Sequence, residues 1–222
     1  MKKRLAIVMA TLMSVVCLAG CGFDASKYVQ GILDNSYKGE PSLMMETCKV
    51  SQEEANAVYE DAIDEMVRAA VGVGYSSMSE DYKTKYSDSY KRMFSMVDYQ
   101  VGESKTESDG SFTVDVTCRK MNFFVPYGAR VEELVTEYTA EIQKQYEETG
   151  VYPSDQEINE KAYQLDVDTI NEVLNSVEYA SDTEVVTVHV VKSATGNTYE
   201  IKNSDIEALQ YALLDIEEFM GN

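Results

Sequence analysis

Residues 112–119 read Phe-Thr-Val-Asp-Val-Thr-Cys-Arg. Phe112, Val114, Val116 and Cys118 alternate with Thr113, Asp115, Thr117 and Arg119. A period of two puts the apolar side chains on one side of a strand and the polar ones on the other, so this strand has one face against a core and one in water. Just upstream, Ser108-Asp109-Gly110 supplies a turn, and Tyr99 and Val101 begin a partner strand, which makes a hairpin. A second alternating run, Glu184-Val-Val-Thr-Val-His-Val-Val-Lys192, leads to a Gly196-Asn197 turn and a short strand around Tyr199 and Ile201. Two hairpins predict an antiparallel sheet of about four strands.

Between and before the hairpins the period changes to 3.6. Residues 24–38 carry Val29, Ile32 and Leu33 at helical spacing and stop at Gly39. Ser51-Gln-Glu-Glu54 is a capping box, in which the serine hydroxyl takes the third helical amide and Glu54 reaches back. The helix it opens aligns Ala55, Val58, Tyr59, Ala62, Ile63, Met66 and Ala70, and a third from about Ser79 aligns Tyr82, Tyr86, Tyr90, Phe94 and Val97. Pro126 sits where a long helix begins, striped by Val131, Leu134, Val135, Tyr138, Ile142 and Tyr146 and closed by Gly150. Ser154-Asp-Gln-Glu157 is a second capping box, opening a helix striped by Ile158, Ala162, Leu165, Ile170, Val173 and Val177. Ser204-x-x-Glu207 caps the last helix, which turns Ile206, Leu209, Leu213 and Met220 inward.

The fold class is therefore α+β, with helices packed on one face of the antiparallel sheet. The order repeats a helix–helix–hairpin unit near 51–121 and 127–202, with Ser95-Met-Val-Asp-Tyr99 echoed by Ser176-Val-Glu-Tyr179, a pattern compatible with internal duplication. No Pro-, Gly- or Ser-rich linker interrupts residues 21–222, which read as a single domain. With 44% hydrophobic residues the chain has enough apolar material for a sizeable core. A formal charge of −20 excludes the phosphate-neutralising surface that nucleic-acid binding requires.

The first twenty residues are of a different kind. Lys2, Lys3 and Arg4 precede an uncharged apolar run from Leu5 to Leu18, the layout of a secretory signal. The run is shorter than the ~20 residues that span a bilayer core. Leu18-Ala19-Gly20-Cys21 then matches the lipobox of bacterial lipoproteins. That resemblance implies removal of residues 1–20 and a diacylglyceryl thioether on Cys21, whose acyl chains anchor the protein at the outer face of a cell membrane. Loss of three cations takes the charge from −20 to −23, which favours solubility. The whole chain resembles uncharacterised small lipoproteins of Gram-positive bacteria. Beside the lipobox, the likeness rests on Phe23-Asp-Ala-Ser-Lys-Tyr28, Asn35-Ser-Tyr-Lys-Gly39, Ser51-Gln-Glu-Glu-Ala55 and Ser108-Asp-Gly-Ser-Phe-Thr-Val114. It implies an address and a fold, and no chemistry.

With Cys17 in the signal and Cys21 acylated, Cys48 and Cys118 are the candidate disulfide of an extracytoplasmic protein. The alternative is two buried thiols acting as small hydrophobes. No catalytic or metal-binding constellation is present. The single histidine, His189, shares a side of its strand with Val185, Thr187 and Val191, and there is no H-E-x-x-H, C-x-x-C, S-x-x-K, G-x-S-x-G, EF-hand or phosphate-loop pattern. Asp166-Val-Asp168 on a helix does not wrap a cation. No cofactor and no metal is expected. Two aromatic groups are candidate binding residues: Tyr82, Tyr86 and Tyr90 at i, i+4, i+8, and Phe123, Phe124 and Tyr127 in a strand-to-helix connector. The functional expectation is a membrane-anchored, non-enzymatic module for an extracytoplasmic ligand or protein partner. The alternatives are a hydrolase of envelope or host glycans, which needs two carboxyl groups about 5–10 Å apart in a cleft, and a structural accessory of an envelope complex with a flat apolar patch near Phe123, Phe124 and Tyr127.

Overall fold

A computed structural model describes residues 17–18, 22–193 and 198–221, with backbone alone at 17–18 and 220–221. Cys21, the Gly196-Asn197 turn and the Met220 side chain lie outside the described residues. A two-residue strand, β1 (Cys17–Leu18), precedes four helices, α1 (Ala25–Leu33), α2 (Ser42–Cys48), α3 (Gln52–Val71) and α4 (Glu80–Ser95). The first hairpin is β2 (Asp98–Thr106) with β3 (Phe112–Arg119), followed by β4 (Met121–Asn122). Then come the two longest helices, α5 (Phe124–Thr149) and α6 (Asp155–Asn175), and a short β5 (Glu178–Tyr179). A second hairpin, β6 (Glu184–Lys192) with β7 (Thr198–Ile201), leads to α7 (Asn203–Leu213) and α8 (Ile216–Gly221).

The four main strands form an antiparallel sheet with the hairpins side by side, in the order β7-β6-β3-β2, and β1 adds to the β7 edge. Across the central pair Val114 faces Val188 and Val116 faces Val186. These residues, with Cys118 and Val190, are buried beneath α1 and α7. On the opposite face Val185 is exposed, and Thr187 donates to Asp115 at 2.7 Å. The alternation read from residues 112–119 and 184–192 thus marks a sheet with one covered face.

Several local signals act as their chemistry predicts. Both capping boxes form, Ser51 with Glu54 and Ser154 with Glu157, Ser79 caps α4, and Gly150 ends α5 at φ 72°. Others give way to longer-range contacts. The expected helix over 24–38 is α1 followed by a π-helical turn, Asp34–Lys38, ending at Gly39 with φ 65°. The wider turn brings Asp34 inward, where it accepts from Gln30 at 2.9 Å and from the Tyr99 hydroxyl at 2.7 Å. Helix α2 has no cap that a pattern could reveal, and Gly31 lets it lie against α1, because a Cβ there would stand 2.7 Å from the Met44 amide.

The Ser204–Glu207 box does not form. Lys202 is the N-cap without a side-chain bond, and Ser204 bonds Asp205 instead. Asp205 in turn accepts from the His189 amide at 2.7 Å and lies 2.9 Å from its Nδ1. The candidate Cys48–Cys118 disulfide is not formed either. Cys118 is a free, buried thiol on the inner face of β3, whereas Cys48 is disulfide-bonded. Burial in the apolar core pushes the Cys118 thiol up to about 12.

The two helix pairs that precede the hairpins differ in burial. Helix α3 buries seven residues and α4 five, while α5 buries Phe124 alone among its 26. Helix α6 buries Val167, Thr169, Ile170, Val173 and Leu174, all in its C-terminal half. At 1.5 Å per residue α5 is about 39 Å long, so most of the α5–α6 hairpin reaches beyond the buried core. Its far end carries Tyr146 stacked on Tyr152 at 4.1 Å.

Candidate functional site

Where the α5–α6 hairpin leaves the core, the apolar stripes of the two helices meet the ends of α3 and α4. The stripe positions Val131, Leu134 and Tyr138 of α5 and Leu165 of α6 are half-buried, and Val135 is 60% exposed. With Ala70 and Val71 from the end of α3 they line a groove of about 260 Å³. Its lining is mostly hydrocarbon and aromatic ring, and the one ionisable carboxyl group in it is Asp166.

Asp166 is set where three helices converge. It takes the i+4 position from Ala162 and the i−4 position from Ile170, so it falls within the apolar stripe of α6. Its neighbour Asp168 points elsewhere, accepting from Gln164 at 2.8 Å, and the two carboxyls do not form a pair. Tyr86 of α4 donates to Asp166 Oδ2 at 2.7 Å and Tyr127 of α5 donates to Oδ1 at 2.6 Å. Burial drives the Asp166 carboxyl above the usual carboxylate range, and the two hydroxyls oppose that shift without cancelling it. Both phenols are pushed far above their ordinary value, by desolvation first and by the neighbouring carboxyl second. They stay protonated and act as donors throughout the physiological range.

A second contact network sets the direction of α5. Asp215, in the turn between α7 and α8, is 3% exposed. Its carboxylate accepts from the backbone amides of Phe123 at 2.9 Å, Phe124 at 2.7 Å and Val125 at 2.8 Å. Helix α5 therefore begins two residues before Pro126, with its first amides satisfied by a side chain some ninety residues away in sequence. Asp215 also donates its own amide to the Met121 carbonyl at 3.3 Å.

The aromatic residues singled out from sequence separate into three groups. Tyr86 and Tyr127 come together on Asp166 at the groove. Tyr82 packs beside the groove against Tyr163, with ring centroids 5.7 Å apart, and the Tyr163 hydroxyl donates to the Gly74 carbonyl at 3.2 Å. Tyr90, Phe123 and Phe124 are core residues, each no more than 3% exposed. Phe123 stacks on Tyr127 at 5.5 Å, and Phe124 meets Phe219 at 5.9 Å. No exposed patch is built from Phe123 and Phe124, because Asp215 draws their backbone inward. Sequence reasoning weighs Asp166 only as a cation ligand and does not single out Asp215. The available signal was an acidic residue at an apolar position: Asp166 in the i, i+4 stripe of Ala162 and Ile170, and Asp215 within Leu213-Leu214-Asp215-Ile216.

A second concavity beside the start of α5 carries Glu178, Asp215 and Glu218. Asp215 is committed to the three amides, and Glu218 pairs with Lys120 at 2.8 Å. Among the described residues no group of three His, Cys, Asp or Glu side chains is placed to hold a metal ion.

These elements define an α+β protein in which helices cover one face of an antiparallel sheet and a helical hairpin extends from it. The same fold occurs in the crystal structure of a candidate lipoprotein, ycdA, from Bacillus subtilis, with a TM-score of 0.58 and 16% sequence identity. The match covers 86% of this chain and 56% of that one, so the chain spans little more than half the length of its structural neighbour. No protein-family model matches the chain, nor does any curated protein. Among the described residues no helix is long and apolar enough to cross a membrane.

Proposed function

We propose that the protein is an extracytoplasmic lipoprotein, anchored through Cys21, that binds a small, largely apolar ligand in the α5–α6 groove. The observation that carries the reading is the groove itself. Residues patterned for a core are left half-exposed around a cavity, and a single polar cluster, Tyr86–Asp166–Tyr127, lies at its base. Concave, mostly apolar sites with a few convergent polar groups are the usual form of small-ligand sites. A glycan hydrolase calls for two carboxyl groups across a cleft, and the groove offers Asp166 alone. An envelope accessory docking through Phe123, Phe124 and Tyr127 calls for their exposure, and the first two are buried.

Among the described residues every buried core residue lies between Ala25 and Ile216, and the full-length chain, which keeps the disulfide partner of Cys48, is the form to assay. A thermal-shift screen of that chain against small apolar compounds tests the binding reading. A ligand at 100 times its Kd adds about 2.7 kcal/mol, and the shift disappears in Val135→Arg if the groove is the site. A shift that survives Val135→Arg places binding elsewhere. Cys21→Ala in the full-length chain tests the anchor: the protein leaves the membrane fraction, and retention there ends the lipid-anchor reading.

A further inference from the structure

Within that binding reading, the chemistry of the groove restricts the ligand class. We propose that the groove takes a small amphiphilic amine, with the ammonium group on Asp166 and the apolar body against Val131, Leu134 and Val135. Among the residues lining the groove none is basic. Asp166 is held by two neutral hydroxyls, one on each oxygen. A carboxylate has about four lone-pair sites, so two hydroxyls leave room for a further donor. Neighbouring helices commonly tie down a buried acid with arginine or lysine, and here they supply phenols.

The alternatives fare worse on the same geometry. An anionic ligand meets Asp166 directly, on a chain of formal charge −20. A neutral apolar ligand expels water from around the carboxylate and gives it no counter-charge, which is costly in a low-dielectric site. A cation does the reverse. Burial already holds the carboxyl above its usual range, and an ammonium group stabilises the ionised form. The rings of Tyr86, Tyr127, Tyr138 and Tyr163 border the same space, and aromatic rings close to a cation attract it. The field of the whole molecule steers cations toward it. A volume of about 260 Å³ lies just under the ~300 Å³ at which small-molecule sites begin, and suits a compact monoamine. Polyamines are disfavoured by the single carboxyl, since their further charges would lie against hydrocarbon.

The test uses calorimetric titration of the full-length chain with hexylammonium and with its neutral counterpart, 1-hexanol, at pH 7. Hexylammonium is expected to bind saturably and at least tenfold more tightly than hexanol. Asp166→Asn reduces that preference to under about threefold, and Val135→Arg, a change at an exposed position that places a guanidinium at the mouth, abolishes hexylammonium binding. Equal binding of the two probes to the wild type, or a preference that persists in Asp166→Asn, overturns the amine assignment and leaves the groove as an apolar site. Failure of both probes to bind overturns the groove reading as well. Should Asp166→Asn not fold, the comparison of probes on wild type and Val135→Arg still decides.

Discussion

Replacing Asp215 should unseat the base of the α5–α6 hairpin. The carboxylate accepts three backbone amides at 2.7–2.9 Å from a position 3% exposed. These are charge-assisted bonds to the start of a 26-residue helix, where the helix dipole favours negative charge. Asp215→Ala leaves the amides of Phe123 and Phe124, both buried, without an acceptor. Each unsatisfied buried donor costs about 1–3 kcal/mol. The cavity bordering the site admits water to part of the gap, so the expected loss is about 3–4 kcal/mol rather than the full sum. Asp215→Asn is the informative control. Its remaining oxygen still accepts from Phe123 and Phe124, while its amide group confronts the Val125 N–H, so one bond and the charge are lost at about 1–2 kcal/mol. Urea unfolding followed by far-ultraviolet circular dichroism measures both, with unchanged m values showing that the comparison is of stability alone. An alanine variant within 1 kcal/mol of wild type, or an asparagine variant as damaged as the alanine one, would refute the assignment of this carboxylate as the cap of α5.

Three further outcomes are expected. Gly31→Ala destabilises by about 1–3 kcal/mol in the same urea assay, because its Cβ would meet the backbone of α2 at Met44 and Leu43, which cannot swing aside as a side chain can. Asp166 has a raised folded-state pKa, so it stabilises the fold at acid pH and that contribution is lost as pH rises through the folded pKa. The stability difference between wild type and Asp166→Asn therefore falls from about pH 3.8, the ordinary carboxyl value, and levels off above the folded-state pKa. A difference that grows with pH would mean that the tyrosine hydroxyls outweigh desolvation. Cys118, buried with its thiol pushed up to about 12, should resist alkylation by iodoacetamide at pH 8 in the native protein and react once urea unfolds it, as read by peptide mass spectrometry.

Much of the architecture follows from short-range pattern. The alternation at 112–119 and 184–192, the serines at 51, 79 and 154, and Gly150 each act within a few residues of themselves, so strands, caps and the α+β class are legible without a structure. The misreadings occur where a distant partner intervenes. Ser204 loses its cap as Asp205 turns to His189 on β6, and the helix from Asp24 widens into a π turn as Asp34 is engaged by Tyr99 on β2. The Cys48–Cys118 pair, allowed by compartment, does not form: Cys48 is disulfide-bonded elsewhere, and Cys118 stays a free thiol on the inner face of the sheet.

The same division runs through the site. A helical stripe such as Val131–Leu134–Tyr138 records that one face of α5 is apolar, a local property of spacing. Whether that face is sealed in the core or lines a groove depends on how far the hairpin reaches past the sheet and which helices stop beside it. Likewise, sequence presents Tyr86, Tyr127 and Asp166 as three residues on three separate helices. Only the packing of α4, α5 and α6 brings their oxygens within 2.7 Å, since hydrogen bonds across 80 and 39 residues leave no mark on local periodicity.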